Sequence, residues 1–568
     1  MKHLIYTGAS VVALAIAAPA IAQSNTSTVN QGGTDNVVTV DQTGSNNGST
    51  VTQGAASSDN ETTVTQAGAN STSDVTQDGN GVDAANRNRV DVFQGGDGAF
   101  SDVDQSGGPD MDVEIDQFSG SASSTVTQSG TDNSLEVHQN GDGNMSTINQ
   151  SGTSNRIGLA FDGLDNGVIQ DGLDNNSTID QSGNNNAADV LQLGDSNISD
   201  VDQRGAGNTA DVNQTASLNT STIRQDFGAN GPYNNNSATH NQSADGNSAT
   251  SIQDGGNSTS LIDQSDTGNT ASLTQGDFSL NHSSTIDQDG SGNSAIVRQG
   301  FGAIGPFDDN NTSLVTQTGD DNEADVYQPT ANNTSTIDQS GSRNDAFVLN
   351  QGVPNGGGNN NTASINQSGD DNIANIDQPG DTGNFTVNQS GTFGNSFGTQ
   401  GGSNNVALVN QSLFNQFSDV DQAGSNNDAN VSQTGESHNS FVTQNGTNGD
   451  ADVTQSSSSN GSTVTQEGDL DVAFIDQIGN GNGSTVTQNA GGLNNFADVN
   501  QDGDNGTSTM TQSGSDNDAI LNQSGLMNGS SILQDGSLNS ATVTQTGAMA
   551  TSSVSQIGSN NTATVNQN

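Results

Sequence analysis

Asn561-Thr562-Ala563-Thr564-Val565-Asn566-Gln567 carries the pattern that decides the fold. Asn561, Ala563, Val565 and Gln567 are spaced two apart, so an extended chain puts them on one face and Thr562, Thr564 and Asn566 on the other. A helix would scatter the same residues around its circumference. Just upstream, Gln556-Ile557-Gly558 places a Gly two residues after a Gln, a turn signal strengthened by Ser559 and Asn560. The span from Gln556 to Gln567 therefore holds one turn and one strand.

The same unit runs back through the chain. Gln recurs at 31, 42, 53, 66 and 77 and, at the far end, at 512, 523, 534, 545, 556 and 567; of 46 such Gln, 35 of the 45 steps have the length of the step from Gln31 to Gln42. Four residues before each Gln, the identity alternates from Ser396 onward: Ser396, Ala407, Ser418, Ala429, and so on to Ser552 and Ala563. Earlier, Ser27, Ser49, Ser73, Ser101, Ser124 and Ser146 hold every second place, with Val38, Thr62, Val90, Val113 and Leu135 between them. The true period is thus two such steps, about 22 residues, with two strands to a coil. This predicts an all-β, amyloid-like parallel β-solenoid of two facing sheets and about 23 coils, Ser strands stacking on Ser strands and Ala strands on Ala strands. A slip of register is expected between Phe347 and Phe385. Inward Asn and Gln are expected to form amide ladders along the stack, in which Gln181, Asn186, Gln192, Gln422, Asn427, Gln433, Gln556, Asn561 and Gln567 take part with Val565 as apolar filling.

Composition agrees with a thin core. The 568 residues are 27% hydrophobic and 4% aromatic, with 72 Gly and no Cys or Trp. Residues 1–22 read as a signal peptide: Lys2 and His3, an apolar run from Leu4 to Ala18, then Ala20-Ile21-Ala22, which leaves the repeat region as 23–568. No later segment is apolar for long enough to span a bilayer. Removing Lys2 leaves seven Arg against 64 acidic residues, which excludes nucleic acid and favours cations or basic partners.

At this point the residues resemble a known family. Curlin repeats of bacterial curli subunits carry Gln-x-Gly-x-x-Asn-x-Ala-x-x-x-Gln, matched here by Gln181, Gly183, Asn186, Ala188 and Gln192, by Gln422, Gly424, Asn427, Ala429 and Gln433, and by Gln556, Gly558, Asn561, Ala563 and Gln567. The family's leading Ser, six before Gln, is mostly Asn here, and the chain is far longer than typical curli subunits. The resemblance implies a secreted structural subunit of an extracellular functional-amyloid fibre at the bacterial cell surface, serving adhesion and the biofilm matrix. It also implies self-assembly, a nucleating subunit and outer-membrane secretion machinery as partners. A second reading from another class is a monomeric solenoid adhesin that binds cations or glycans.

No enzyme is expected. His138, His240, His282 and His438 lie in different repeats, and Ser and Asp are everywhere, so chance groupings of the three are unremarkable. No cofactor is expected beyond loosely bound Ca2+ at turns such as Asp142-Gly143-Asn144, Asp320-Asp321-Asn322 and Asp370-Asp371-Asn372, where Asp and Asn also suit the turn itself. Paired outward Thr, as in Thr463-Val464-Thr465, are interrupted elsewhere by Asp and do not predict an ice-binding face. Insertions near 78–90, 151–168, 226–240, 300–315 and 352–365 are expected as loops at the solenoid edge; two share a Phe-Gly-Ala start, Phe227 to Tyr233 and Phe301 to Phe307. Ser27 to Gln31 and Thr562 to Gln567 are both in pattern, so each end is expected to offer strand edges for head-to-tail addition.

Overall fold

A computed structural model describes residues 24–79, 81, 87–158, 167–225, 234–276, 280–300, 310–349, 351 and 359–568. The expected signal peptide, residues 1–22, lies outside them. So do parts of all five insertions and the aromatics Phe227, Tyr233, Phe301 and Phe307.

The described residues are all strand and turn, with no helix. Short strands alternate between two sheets, and within each of two units strands pair in parallel with those one coil away, together about 23 coils about 22 residues apart. The chain forms two compact units, up to Asn281 and from His282 onward. In the first, one sheet stacks strands from Thr26–Gln31 to Thr270–Gln275, and the second those from Val37–Gln42 to Thr259–Gln264. In the second, the sheets run from Ser283–Gln288 to Thr562–Gln567 and from Ser294–Gln299 to Thr551–Ser559.

The alternation read from the sequence is what each strand buries. Gly461–Gln466, GSTVTQ, buries Ser462, Val464 and Gln466 and turns Thr463 and Thr465 outward. Val and Ile fill the centre, each worth about 1.5–3 kcal/mol when fully buried. Asn561 and its equivalents lie just before their strands and still point inward. The residue before each is left-handed, as at Asn185 (φ 57°), Asn426 (φ 56°) and Asn560 (φ 58°), a conformation Asn tolerates better than most residues. The Gly two residues after Gln is a matter of space. A Cβ on Gly183 would stand 1.9 Å from the Gly205 carbonyl oxygen one coil on, and one on Gly424 1.7 Å from that of Gly446. Coils stacked at about 4.8 Å leave no room for it.

The backbone register does not slip between Phe347 and Phe385: Phe347 pairs with Asn375, Asn375 with Phe397, and Phe385 with Ala407. What changes is which sheet carries Ser. In the first unit Ser221 stacks on Ala249 while Ala238 of the other sheet stacks on Ser260. In the second unit the exchange reverses, Ser335 stacking on Ala363 and Ala374 on Ser396. Phe385 takes an Ala position and is fully buried because Gly398 stands across from it where Val is usual; a Cβ on Gly398 would meet the Phe385 ring at 1.6 Å.

One insertion interrupts a strand instead of extending a turn. Arg156–Ile157 and Val168–Asp171 pair with the same two neighbours, Ser134–Asn140 and Ala187–Gln192, as two pieces of one strand.

Candidate functional site

The chemistry of this molecule is concentrated in its ladders. Most of the closing Gln are buried, and away from the last coil they typically spend both amide hydrogens. Gln181 Nε2 donates to Gln203 Oε1 (2.8 Å) and to the Arg156 carbonyl (3.2 Å). Gln192 donates to Gln214 Oε1 (2.9 Å) and the Asn176 carbonyl (3.2 Å). Gln422 reaches Gln444 (2.8 Å) and the Val406 carbonyl (2.9 Å), and Gln433 reaches Gln455 and the Phe417 carbonyl, both at 2.9 Å. Gln556 accepts from Gln534 (3.0 Å) and donates to the Ser540 carbonyl (2.9 Å); Gln567 accepts from Gln545 (2.7 Å) and donates to Thr551 (2.8 Å). One bond runs along the stack and the other crosses to the facing sheet, so each Gln ties coil to coil and sheet to sheet. The cross-sheet bond has no signature in the repeat pattern.

Asn behaves differently from the expected amide ladder. Its Oδ1 mostly accepts the backbone N–H of the Asn one coil on: Asn155 from Asn186 (3.1 Å), Asn405 from Asn427 (3.0 Å), Asn539 from Asn561 (3.1 Å). Its Nδ2 donates to turn carbonyls, as from Asn427 to Gly446 (3.0 Å). Side-chain pairing occurs too, as from Asn561 Nδ2 to Asn539 Oδ1 (2.9 Å). The Asn line therefore caps backbone groups that the turns would otherwise leave orphaned. Val565 lies half-buried in line with Val543.

The turn carboxylates have structural work of their own. Asp320 accepts the backbone N–H of Ser291 (2.9 Å) and Asp370 that of Ser342 (2.9 Å), while Asp371 pairs with Arg343 (2.7 Å). Among the described residues no group of three or more His, Asp or Glu is placed to hold a metal ion.

Of the four His among the described residues, three face inward. His282 and His438 stand in the Asn line, and their Nδ1 atoms accept the N–H of Asn311 (3.2 Å) and Asn460 (3.3 Å). His240 takes a Val position and is fully buried; Ser221 Oγ lies 2.8 Å from its Nδ1 and Ser251 Oγ 2.8 Å from its Nε2. Burial lowers its pKa to about 3 and that of His282 to about 4, so both are neutral. A Ser-His grouping sealed in this way has no route for a substrate. His138 faces out between Asp116 (3.3 Å) and Glu136, and the Asp116 hydrogen bond leads in pushing its pKa up to about 9, so it is a cation.

Outward carboxylates stack as the spacing implies: Asp180 pairs in register with Asp202, and Asp202 with Arg224. Relief comes from other partners than that register suggests. Arg204 lies 3.3 Å from Asp202, and Arg224 leans 3.9 Å from Asp200. Burial is the main reason the Asp202 pKa is raised, with Asp180 and Asp200 adding to it after the opposing pull of Arg204.

The model of the curlin associated repeat matches seven segments of this chain, residues 130–160, 172–205, 319–352, 424–456, 458–489, 492–525 and 528–558. No curated protein matches the chain.

Proposed function

We propose, from the premise that this is a curlin-repeat protein, that it is the structural subunit of an extracellular functional-amyloid fibre that serves adhesion and the biofilm matrix at a bacterial surface. The supporting observation is the self-complementary contact between coils. Gln422 presents Nε2 to one neighbour and Oε1 to the other, accepting from Gln400 and donating to Gln444, both at 2.8 Å, and Gln433 repeats the arrangement on the facing sheet with Gln411 and Gln455. Backbone pairing is parallel and in register at the same positions. A coil of one chain can therefore stack on a coil of another through the contacts used inside the chain. The role is structural and non-catalytic, its cargo is further copies of itself, and secretion past the outer membrane with a nucleating subunit completes the reading. Electron microscopy and fibre diffraction of the purified 23–568 segment test it: fibres with a reflection near 4.8 Å along their axis are expected, and monodisperse soluble particles under all conditions would overturn it.

A further inference from the structure

The outer face of one sheet in the second unit carries an aromatic line whose first member the sequence spacing hides, because the insertion near 352–365 shifts the repeat numbers. Along one column of outward positions, Phe347 pairs with Asn375, Asn375 with Phe397, Phe397 with Asp419 and Asp419 with Phe441. Rings thus recur at every second coil, about 9.5 Å apart, with an amide or a carboxylate between them. Phe417, in the neighbouring column, bridges the last two: its ring centroid lies 5.8 Å from that of Phe397 and 5.4 Å from that of Phe441. Phe441 is 43% exposed, and the coil beyond it is low, with Gly461 in the column of Phe417 and open space where its side chain would stand.

We propose that this face binds an extended, neutral, β-1,4-linked polysaccharide lying along the stack. In such a chain each sugar is turned over relative to the last, so the same ring face returns every second residue, at a repeat close to two coils of this solenoid. Phe347, Phe397 and Phe441 then meet equivalent apolar C–H faces, and Asn375 and Asp419 meet the hydroxyls of the sugars between. Flat apolar rings flanked by a few polar groups are the usual composition of a ligand face. Charge sets the class of glycan. Asp377, Asp419 and Asp421 flank the rings, and in a chain of net charge −56 they repel uronate polymers. Phe441 is exposed and Phe347 and Phe397 are half-buried in the single chain, so the face needs no assembled fibre, and the failure of this inference and of the fibre reading are separable.

The test is co-sedimentation of unassembled protein, residues 23–568, with amorphous cellulose, chitin and, as the charged control, alginate. The expected result is saturable binding to cellulose, chitin or both and none to alginate. The triple variant Phe347→Ala/Phe397→Ala/Phe441→Ala should weaken that binding at least about tenfold. A second variant, Asn375→Phe with Phe397→Asn, keeps the composition and breaks the two-coil spacing; it should also lose binding while its circular dichroism stays unchanged. Absence of binding to both neutral glycans, equal binding to alginate, or undiminished binding by the spacing variant would overturn the proposal.

Discussion

His240 Nε2 lies 2.8 Å from the Ser251 hydroxyl, and Ser260 donates to the same hydroxyl at 3.0 Å. With Ser221 on the Nδ1 side, four buried polar side chains form a chain across the core, at the coils where Ser passes from one sheet to the other. His240 stacks between Val212 and Ile262, which occupy the same position in the adjoining coils. An imidazole there fits only one pair of neighbours, so the contact distinguishes its own coil in a stack of near-identical ones, as buried polar groups fix register in other repeats.

Acid should weaken this unit through His240. Its pKa falls from 6.5 in the unfolded chain to about 3 in the fold. The unfolded state therefore binds the proton first, and stability present above pH 6.5 is lost as pH drops toward 3, at up to about 1.4 kcal/mol per pH unit. His240→Val should flatten that limb by one proton. Urea unfolding at pH 7, 5 and 4 measures it; parallel pH dependence of variant and parent would show that the imidazole is not sealed.

Phe385 and Gly398 should behave as a matched pair. Phe385→Ala leaves a cavity and should cost about 3–5 kcal/mol. Gly398→Val drives a side chain into the ring and should destabilise the unit by at least about 1–3 kcal/mol. The double variant recreates the Ala-and-Val arrangement of other coils and should recover most of both losses. A double-mutant cycle reads the coupling directly; additive losses would contradict the pairing.

Gln433→Leu removes three bonds at once. It leaves the Gln411 amide, the Gln455 carbonyl and the Phe417 carbonyl without their partner. Buried orphaned groups cost about 1–3 kcal/mol each, so a loss of at least about 3 kcal/mol is expected in urea unfolding. Ser432→Ala, on the outward side of the same strand, should change stability by no more than about 0.5 kcal/mol. A loss below about 1 kcal/mol for Gln433→Leu would show that the ladder adds little beyond the backbone.

Assembly should accelerate in mild acid and with Ca2+. Burial raises the pKa of outward carboxylates including Asp202, Asp419, Asp450 and Asp498, and neighbouring carboxylates add to it in each. The packed state then holds protons more tightly than the open chain, so stability rises as pH falls through the raised values toward the ordinary carboxylate range, opposite in sign to His240. Lag times of fibre growth between pH 4 and 8, with and without Ca2+, give the answer. Asp202→Asn should shorten the lag at pH 7 and reduce its pH dependence; a lag indifferent to pH and Ca2+ would remove charge stacking from the account.

Residues such as Asn561, Ala563, Val565 and Gln567 determined the fold by themselves. An in-and-out alternation, closed by Gln and reset by Gly in unit after unit, admits one way to hide its apolar face, and the alternating Ser and Ala order sets how strands are shared between two sheets. His240 was visible in the sequence only as one of several scattered His; its place in line with Val212 and Ile262 came from the stack. Only the tertiary structure decided what each departure meets. Gly398 makes room for Phe385 from the facing sheet, Gln433 bonds the Phe417 carbonyl of that same opposite sheet, and Phe347 lines up with Phe397 and Phe441 across the insertion near 352–365. These relations join positions whose separation in sequence is set by turns and insertions, while their separation in space is set by the constant rise between coils, and only the folded stack holds both.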